Sequence, residues 1–314
     1  MSTRISTESY THLLSPEYWE FIHQVEASFP IDFSSLPIDK QREAYNAMLA
    51  GLASGDPTNI TVQDSELKTA KHSLPIRTYQ ANNINPAAHI VYFHGGGFVL
   101  GDLDSHSGIC ADLCAGTGFT FTSVDYRLAP EHLYPAALED SLLAYEAIAA
   151  AETLPLIVMG DSAGGCLAAY VAHHTRNSAN KPMAQVLIYP ALGSDYSLIS
   201  YERYADAPLL TTASMYDYLH LWLGTQDIPK QLAELPLADK DFRGLPKTII
   251  FSAEFDPIIG DAELYCAQIS MAGGEAHWQE EKGLTHGYLH GRHQLASAQA
   301  SFARIQAALQ GLVA

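Results

Sequence analysis

The stretch Gly160-Asp161-Ser162-Ala163-Gly164-Gly165 decides the fold of this chain. It follows the short apolar run Leu156–Met159, which is typical of a buried strand, and it precedes the helical pattern Cys166–His174. Glycines on both sides of the serine permit a tight, strained turn that presents the Ser162 side chain above the edge of a sheet. An ordinary glycine-rich turn is the alternative, but the strand before it and the helix after it favour a turn built to expose Ser162.

Outward from this turn, short β-rich runs alternate with longer helical ones from about Ile60 onward. This alternation predicts an α/β fold with a mostly parallel sheet, covered by helices on both faces. The predicted strands are His89–His94, Phe119–Tyr126, Leu156–Gly160, Gln185–Tyr189 and Thr248–Ser252, and the predicted helices are Pro135–Ala151, Ala163–Thr175 and Pro257–Ala272. The more polar segment Thr61–Tyr79 predicts an antiparallel hairpin at the start of the sheet.

Two segments do not follow the alternation. The N-terminal stretch carries helix patterns at Pro16–Ala27 and Asp39–Ala53, and Ser194–Arg243 inserts helical, tyrosine-rich sequence between two core strands. An insertion of this length after a core strand is typical of a lid. We therefore divide the chain into a cap made of residues 1–52 and 194–243 and a core made of residues 53–193 and 244–314.

The composition argues against several classes of function. Acidic residues outnumber basic ones 35 to 17, and the net charge of -18 repels phosphate backbones and anionic membrane surfaces. We therefore expect no nucleic-acid partner and no binding to lipid headgroups. No uncharged apolar run reaches the roughly 18 residues of a membrane span. Met1–Pro30 also lacks the apolar core of a signal peptide.

The cysteines indicate neither disulfides nor a metal site. Cys110, Cys114, Cys166 and Cys266 do not form a zinc-type CxxC pattern. Cys110 and Cys114 are four residues apart, which places them on one helix face, and we interpret them as small buried apolar residues. We expect a reduced, cytoplasmic protein.

A second glycine-rich stretch, His94-Gly95-Gly96-Gly97, follows the apolar run Ile90–Phe93. Acyl transfer creates a negatively charged oxygen in the transition state, and backbone N–H groups must point at it. We expect the N–H groups of Gly95 and Gly96, with that of Ala163, to form this oxyanion hole. A phosphate-binding loop is the alternative, but the stretch lacks the Lys-Ser/Thr ending of a P-loop and the glycine spacing of a dinucleotide fingerprint.

A serine hydroxyl needs a base to accept its proton near neutral pH. α/β-Hydrolases place an acid and then a histidine after the serine, with the histidine on a loop near the C-terminus. Of the 14 histidines, His286 fits this position best, because it follows the strand candidate Ala276–Glu281 and sits beside a glycine, Gly287. His290 and His293 fall on the predicted helix after it, and we interpret them as surface or packing residues.

The acid is expected at the end of a core strand between the serine and the histidine. Asp256 comes directly after the predicted strand Thr248–Ser252, and Pro257 suits the first turn of the next helix. Glu254 and Asp261 are competitors that we interpret as helix-start or surface carboxylates. The acid holds the imidazole tautomer and stabilises the imidazolium without taking the proton.

Five stretches carry a resemblance to a known family: His94–Gly97, Tyr126–Glu131, Gly160–Gly165, Asp256–Ile258 and His286–Tyr288. In them the chain resembles the hormone-sensitive-lipase-like esterases. The GDSAGG form resembles the bacterial branch, and Phe93–His106 is similar to bacterial acetyl esterases. The resemblance runs from about Ile60 to the C-terminus. It implies an α/β-hydrolase core of eight strands under a helical cap, hydrolysis of short acyl esters without a cofactor, and often a homodimer.

By position, the resemblance carries over the family's triad and oxyanion hole to Ser162, Asp256, His286, Gly95, Gly96 and Ala163. The chain departs from the family pattern at Cys166, which replaces the usual Asn, and at Ile259-Gly260, which replaces the usual Arg. The first departure alters packing behind the serine turn, and the second puts a surface contact in doubt. We interpret Asp125–Glu131 as a structural brace and Asp161 as a residue that organises nearby backbone.

The leading hypothesis is a serine carboxylesterase that hydrolyses short-chain acyl esters of small molecules through an acyl-enzyme intermediate. An amidase or a deacetylase for a small metabolite uses the same residues and stays open. A non-enzymatic ligand-binding protein on this fold is the alternative from another class. Receptors that resemble this family have lost the catalytic histidine, whereas this chain keeps His286.

Overall fold

The central strands form where short runs of Val, Ile, Tyr and Phe are buried on both faces, the pattern of a parallel sheet between helices. The computed structural model describes residues 4–31, 33–55, 57–229 and 232–314. The eight strands are β1 (Ile60–Lys68), β2 (Ser73–Ala81), β3 (His89–Phe93), β4 (Thr120–Val124), β5 (Leu156–Asp161), β6 (Ala184–Ile188), β7 (Lys247–Phe255) and β8 (Ala276–Thr285). Every residue of β3, β4, β5 and β6 is buried.

The strands form one sheet in the order β1-β2-β4-β3-β5-β6-β7-β8. β2 pairs antiparallel with both β1 and β4, and all the other pairs are parallel. The carboxyl ends of β5, β7 and β8 therefore lie along the same edge of the sheet, where open α/β sheets bind their ligands. This topology is the α/β-hydrolase fold expected from the sequence.

Ten α-helices surround the sheet in the described chain. They are α1 (Thr7–Leu13), α2 (Pro16–Ala27), α3 (Ile38–Leu52), α4 (Ser107–Thr117), α5 (Ala136–Ala151), α6 (Ala163–Thr175), α7 (Ile199–Arg203), α8 (Thr212–Leu223), α9 (Ile259–Met271) and α10 (Ala296–Gly311). Three short 3₁₀ helices cover Phe33–Ser35, Pro236–Ala238 and Tyr288–Gly291. No helix of the described residues is both long and apolar enough to span a lipid bilayer.

Two large apolar clusters lie on opposite faces of the sheet, because side chains alternate along each strand. In β3, Ile90 and Tyr92 belong to the cluster that contains α4 and α10, whereas Val91 and Phe93 belong to the cluster that contains α5, α6 and α9. Burial of this kind stabilises by roughly 25 cal/mol per Å² of apolar surface. Cys110 and Cys114 are free and buried on α4, as the sequence predicts.

The predicted boundaries agree with the structure to within a few residues, with one informative difference. The predicted helix from Pro257 begins two residues later, at Ile259. The reason is a turn in which the Ile258 N–H donates to Asp256 Oδ1 at 3.1 Å. This turn ends β7 and holds the Asp256 carboxylate in place at the edge of the sheet.

Candidate active site

Ser162 lies in the turn between β5 and α6, in a strained conformation with φ of 54° and ψ of -120°. Its N–H donates to Ile188 O at 2.9 Å, which ties the turn to β6. The glycines are required by contact: a Cβ on Gly160 would lie 2.2 Å from Gly164 O, and one on Gly164 would lie 1.9 Å from Phe93 O. The sequence therefore folds here into a turn that lifts the serine side chain above the sheet.

His286 connects Ser162 to Asp256 in one hydrogen-bonded chain. Its Nε2 lies 2.8 Å from Ser162 Oγ, and its Nδ1 lies 2.7 Å from Asp256 Oδ2. An ionised carboxylate only accepts hydrogen bonds, so Nδ1 carries the proton and Nε2 is free to accept the serine proton. Asp256 is 1% exposed and follows β7, while His286 directly follows β8.

Neither competing carboxylate reaches His286. Glu254 accepts a hydrogen bond from the Gly283 N–H at 2.8 Å and contacts Lys282. Asp261 lies in the first turn of α9, as expected of a helix-start carboxylate, but it is buried. Its carboxylate accepts hydrogen bonds from the Leu192 and Gly193 N–H groups and from Tyr201 Oη. The order of elements along the chain is therefore sufficient to select Asp256 as the partner of His286.

The structure differs from the sequence prediction at Gly95. Its N–H donates to Asp161 Oδ1 at 3.0 Å, so it does not face the cavity beside Ser162. Gly96, Gly97 and Ala163 line that cavity instead. Within the described part of the chain, the N–H groups of these three residues make no hydrogen bond.

Sequence reasoning missed Gly97 because it counted glycines from the end of β3. The Asp161 carboxylate takes the first of them, and the loop then turns at Gly96 and Gly97, whose φ angles are 116° and 63°. The signal was present in the sequence, because Asp161 was expected to organise the nearby backbone. The Gly95–Asp161 hydrogen bond agrees with that expectation, and it occupies the Gly95 N–H that the sequence assigned to the oxyanion hole.

Asp161 is a buried anion beside the nucleophile candidate. The Tyr92 hydroxyl donates to Oδ1 at 2.7 Å, so Oδ1 serves both Tyr92 and Gly95. The carboxylate is thus committed to holding the glycine loop and is not in the Ser162–His286 chain.

The stretch that follows β4 braces the same loop. The Tyr126 hydroxyl donates to His94 O at 2.7 Å, and its ring stacks on the His94 ring with centroids 4.4 Å apart. Burial lowers the pKa of His94 to about 4, so this side chain is neutral. Arg127 forms a bidentate ion pair with Asp140. These contacts are structural, as the sequence indicates.

An apolar cavity of about 360 Å³ opens above Ser162 and His286, within the size range of small-molecule sites. Its walls come from the core and from two segments outside it. The N-terminal segment contributes residues that include Phe21, Val25, Phe29, Phe33, Tyr45 and Leu49, and the insertion contributes residues that include Tyr196, Leu209, Met215, Tyr218, Leu219 and Trp222. The Trp222 ring stacks on that of Phe98 with centroids 3.9 Å apart.

His290 is a packing residue, which is one of the two roles expected from the sequence, but its place on the cavity wall was not predicted. It belongs to the 3₁₀ helix Tyr288–Gly291 and lines the cavity, next to the His106 ring at a centroid distance of 5.0 Å. His293 is exposed and bonds to Asp112, as expected for a surface residue. The difference arises because the chain turns directly after His286 and brings His290 back over the sheet edge.

Comparisons with known proteins agree with this geometry. Residues 90–290 match the family described as alpha/beta hydrolase fold. The chain is 38% identical over 208 residues to the esterase LipI of Mycobacterium tuberculosis, across 64% of this chain and 65% of LipI. It is 35% identical over 227 residues to the carboxylesterase NlhH of the same organism, across 69% of this chain and 71% of NlhH. An esterase structure from Pyrobaculum calidifontis, at 29% identity, superposes with a TM-score of 0.83 over 96% of this chain and 100% of that one.

Proposed function

The chain belongs to the hormone-sensitive-lipase-like esterases of the α/β-hydrolase fold and is a carboxylic ester hydrolase, and from this premise we propose that Ser162 carries the acyl group of short-chain esters during turnover. The observation that supports the proposal most strongly is the hydrogen-bonded chain from Asp256 through His286 to Ser162, which opens into an apolar cavity. A serine activated in this way is a nucleophile for acyl transfer.

In the acylation step, Ser162 Oγ bonds to the ester carbonyl carbon while its proton passes to His286 Nε2. The resulting imidazolium is stabilised by Asp256, which keeps its negative charge. His286 then gives the proton to the alcohol oxygen as the carbon–oxygen bond breaks. The alcohol leaves, and the acyl group stays on Ser162 as an ester.

The negative charge of the tetrahedral intermediate develops on the former carbonyl oxygen. We assign the N–H groups of Gly96, Gly97 and Ala163 as its donors, since they line the cavity beside Ser162 and have no other partner among the described residues. Donors fixed in advance stabilise this charge without reorganisation, and each one contributes about 10²–10³ in rate.

Deacylation repeats the chemistry with water as the nucleophile. His286 Nε2 takes a proton from the water molecule as its oxygen attacks the acyl carbon, and then returns the proton to Ser162 Oγ. The products are a carboxylic acid and the free serine. In these two steps every proton is transferred between the side chains already named, the alcohol and water, so the proposed reaction requires no cofactor.

The cavity walls support a short acyl group. We propose that residues 1–52 and 194–243 form one cap, because both segments supply large side chains to the same cavity above Ser162. Aromatic side chains such as Phe29, Tyr218 and Trp222 limit the length of chain that fits. A homodimer stays a prediction of the family resemblance, and light scattering of the native protein measures it directly.

The test is the rate of hydrolysis of p-nitrophenyl acetate, butyrate, octanoate and palmitate. We expect the highest kcat/KM for acetate or butyrate and a steady fall toward palmitate. Fastest cleavage of palmitate would overturn the short-chain assignment but not the mechanism. Faster cleavage of p-nitroacetanilide than of p-nitrophenyl acetate would instead favour an amidase.

A further inference from the structure

A second group of chemically active side chains, separate from the Ser162–His286–Asp256 chain, lies at the same cavity. His106, Asp161 and His290 come from three distant parts of the sequence, and each offers one potential ligand atom. These three atoms all lie within 4.8 Å of one another. His106 is 1% exposed and Asp161 is 3% exposed, while Asp161 and His290 both line the cavity.

The hydrogen bonds of Ser105 determine which His106 nitrogen carries the proton. Ser105 Oγ lies 2.8 Å from Asp102 O, and a carbonyl oxygen only accepts, so the single hydroxyl proton of Ser105 goes there. His106 Nδ1, 2.8 Å from the same Oγ, must then be the donor to it. In a neutral ring this leaves a lone pair on Nε2, and metal-ligating histidines are oriented by such an outer hydrogen bond.

His106 Nε2 points at Asp161 without a hydrogen bond. The nitrogen is buried and has no hydrogen-bond partner, and it lies 3.4 Å from Asp161 Oδ2. An imidazolium that donated to this carboxylate would approach to about 2.7–2.9 Å. Two ligands bound to one tetrahedral Zn²⁺ at about 2.0–2.1 Å each are instead about 3.3 Å apart. The observed distance of 3.4 Å between His106 Nε2 and Asp161 Oδ2 is therefore close to the separation of two ligands on one Zn²⁺ ion.

The unused lone pairs of Asp161 and His290 are also suited to bind a cation. Asp161 Oδ1 accepts from Tyr92 and Gly95, whereas Oδ2, apart from its approach to His106 Nε2, makes only a long contact of 3.5 Å with the Tyr189 hydroxyl in the described chain. Its lone pairs are therefore free to bind a cation. Within the described chain the His290 ring makes no hydrogen bond, so its nitrogens are available as ligands.

We propose that His106 Nε2, Asp161 Oδ2 and a His290 ring nitrogen form a Zn²⁺ site on the wall of the active-site cavity. Two imidazoles and one carboxylate are ligands that Zn²⁺ accepts, and three protein ligands leave a fourth position for water or a small anion. Here that position faces the cavity. The adjustment needed to close the site falls on His290, which is half-buried and borders open space.

This site goes beyond the esterase reaction, which uses none of its three ligands as a nucleophile or base. It also differs from the expectation drawn from the sequence, because the cysteine spacing gave no indication of metal binding. The three ligands are too far apart in sequence to form a recognisable motif. Only the fold brings them together.

The test measures Zn²⁺ affinity by competition with a chromophoric chelator, so it does not depend on esterase activity. We expect the wild type to bind one Zn²⁺ per chain. His290→Gln should weaken binding at least about tenfold, whereas His293→Gln, an exposed neighbour, should leave it unchanged. His290 is half-buried on the cavity wall, so its replacement tests the site without disturbing the buried His106.

Two results would overturn the proposal. The first is an equal affinity in the wild type and in His290→Gln. The second is a loss of binding in His286→Gln with full binding in His290→Gln, because it would place the ion on the proposed catalytic histidine. Replacement of Zn²⁺ by Co²⁺ adds an independent readout, since a tetrahedral site gives intense visible absorption that His290→Gln should abolish.

Discussion

The Gly95 N–H donates to Asp161 Oδ1 at 3.0 Å, so the residue directly before Ser162 holds the first glycine of the loop that faces it. The serine turn and the glycine loop are therefore joined through one buried carboxylate. Their relative position depends on this contact and on the Tyr92 hydroxyl that shares Oδ1. Under our proposal, displacement of the loop would move the Gly96 and Gly97 N–H groups away from the reacting oxygen.

A first prediction concerns Asp161 as a positioning residue. Asp161→Asn keeps the size of the side chain but replaces an anionic acceptor with a neutral one, so we expect kcat to fall by about 10–10² with little change in KM. Steady-state kinetics measure this split. Asp227→Asn, at an exposed carboxylate, is the control and should keep nearly full activity.

The identity of the acid gives a second prediction. Asp256→Asn should lower kcat about 10⁴-fold, because the amide stabilises the wrong imidazole tautomer. Glu254→Gln is the matched control two residues earlier, and its turnover should stay close to that of the wild type. If Glu254→Gln were the more damaging change, the assignment of Asp256 would be wrong.

A third prediction concerns the glycine loop itself. A Cβ on Gly96 would lie 2.1 Å from Leu100 O, and its φ of 116° disfavours any other residue. Gly96→Ala should therefore displace the loop and lower kcat by at least about 10². Gly51→Ala, on α3 with nothing within 4 Å of the new methyl group, should instead stabilise the fold by about 0.5–1 kcal/mol.

Steady-state kinetics of both glycine variants measure kcat, and chemical denaturation of both measures the free energy of unfolding. A fully active Gly96→Ala would show that the close approach to Leu100 is not needed for turnover.

Stability should depend on pH through Asp261, which joins α9 to the insertion by the Tyr201 hydrogen bond. Burial raises the pKa of Asp261 to about 7, although the hydrogen bonds from Tyr201, Gly193 and Leu192 act to lower it. In the unfolded chain the pKa of an aspartate is about 3.9. Between these values the folded state binds a proton that the unfolded state does not. The contribution to stability is thus complete below about pH 4 and is lost as the pH rises to about 7.

The measurement is the free energy of unfolding of the wild type and of Asp261→Asn at several pH values. We expect the advantage of the wild type to shrink as the pH rises, by on the order of 1 kcal/mol per pH unit within this window. Glu263→Gln, an exposed carboxylate on the same helix, should show no such trend. A difference that stays constant with pH would mean that Asp261 is ionised throughout.

The sequence predicts the fold and the Ser162, Asp256 and His286 positions because each lies at the carboxyl end of a strand in a recognisable order. Local patterns are sufficient there, since the turn glycines and the strand ends are continuous in sequence. The hydrogen-bond partner of the Gly95 N–H is not local in sequence. It is a carboxylate from the neighbouring strand β5, so counting glycines along β3 did not reveal that the Gly95 N–H already has a partner.

The position of His290 shows the same limit. The sequence predicts a surface or packing residue at this position, because nothing nearby marks it as part of a cluster. The partners His106 and Asp161 are 184 and 129 residues earlier in the chain and meet it only after the sheet has formed. Long-range contacts between polar side chains have no periodicity that a sequence reading could detect.

The most direct measurement of the central claim is covalent labelling by diethyl p-nitrophenyl phosphate, which phosphorylates an activated serine and releases p-nitrophenol. We expect one diethylphosphoryl group per chain, located by peptide mass spectrometry on Ser162, and a loss of esterase activity at the rate of labelling. Ser162→Ala should take up no label and lose on the order of 10⁴–10⁶ in turnover. A label on another residue, or a Ser162→Ala variant that still hydrolyses p-nitrophenyl butyrate at the wild-type rate, would contradict the account.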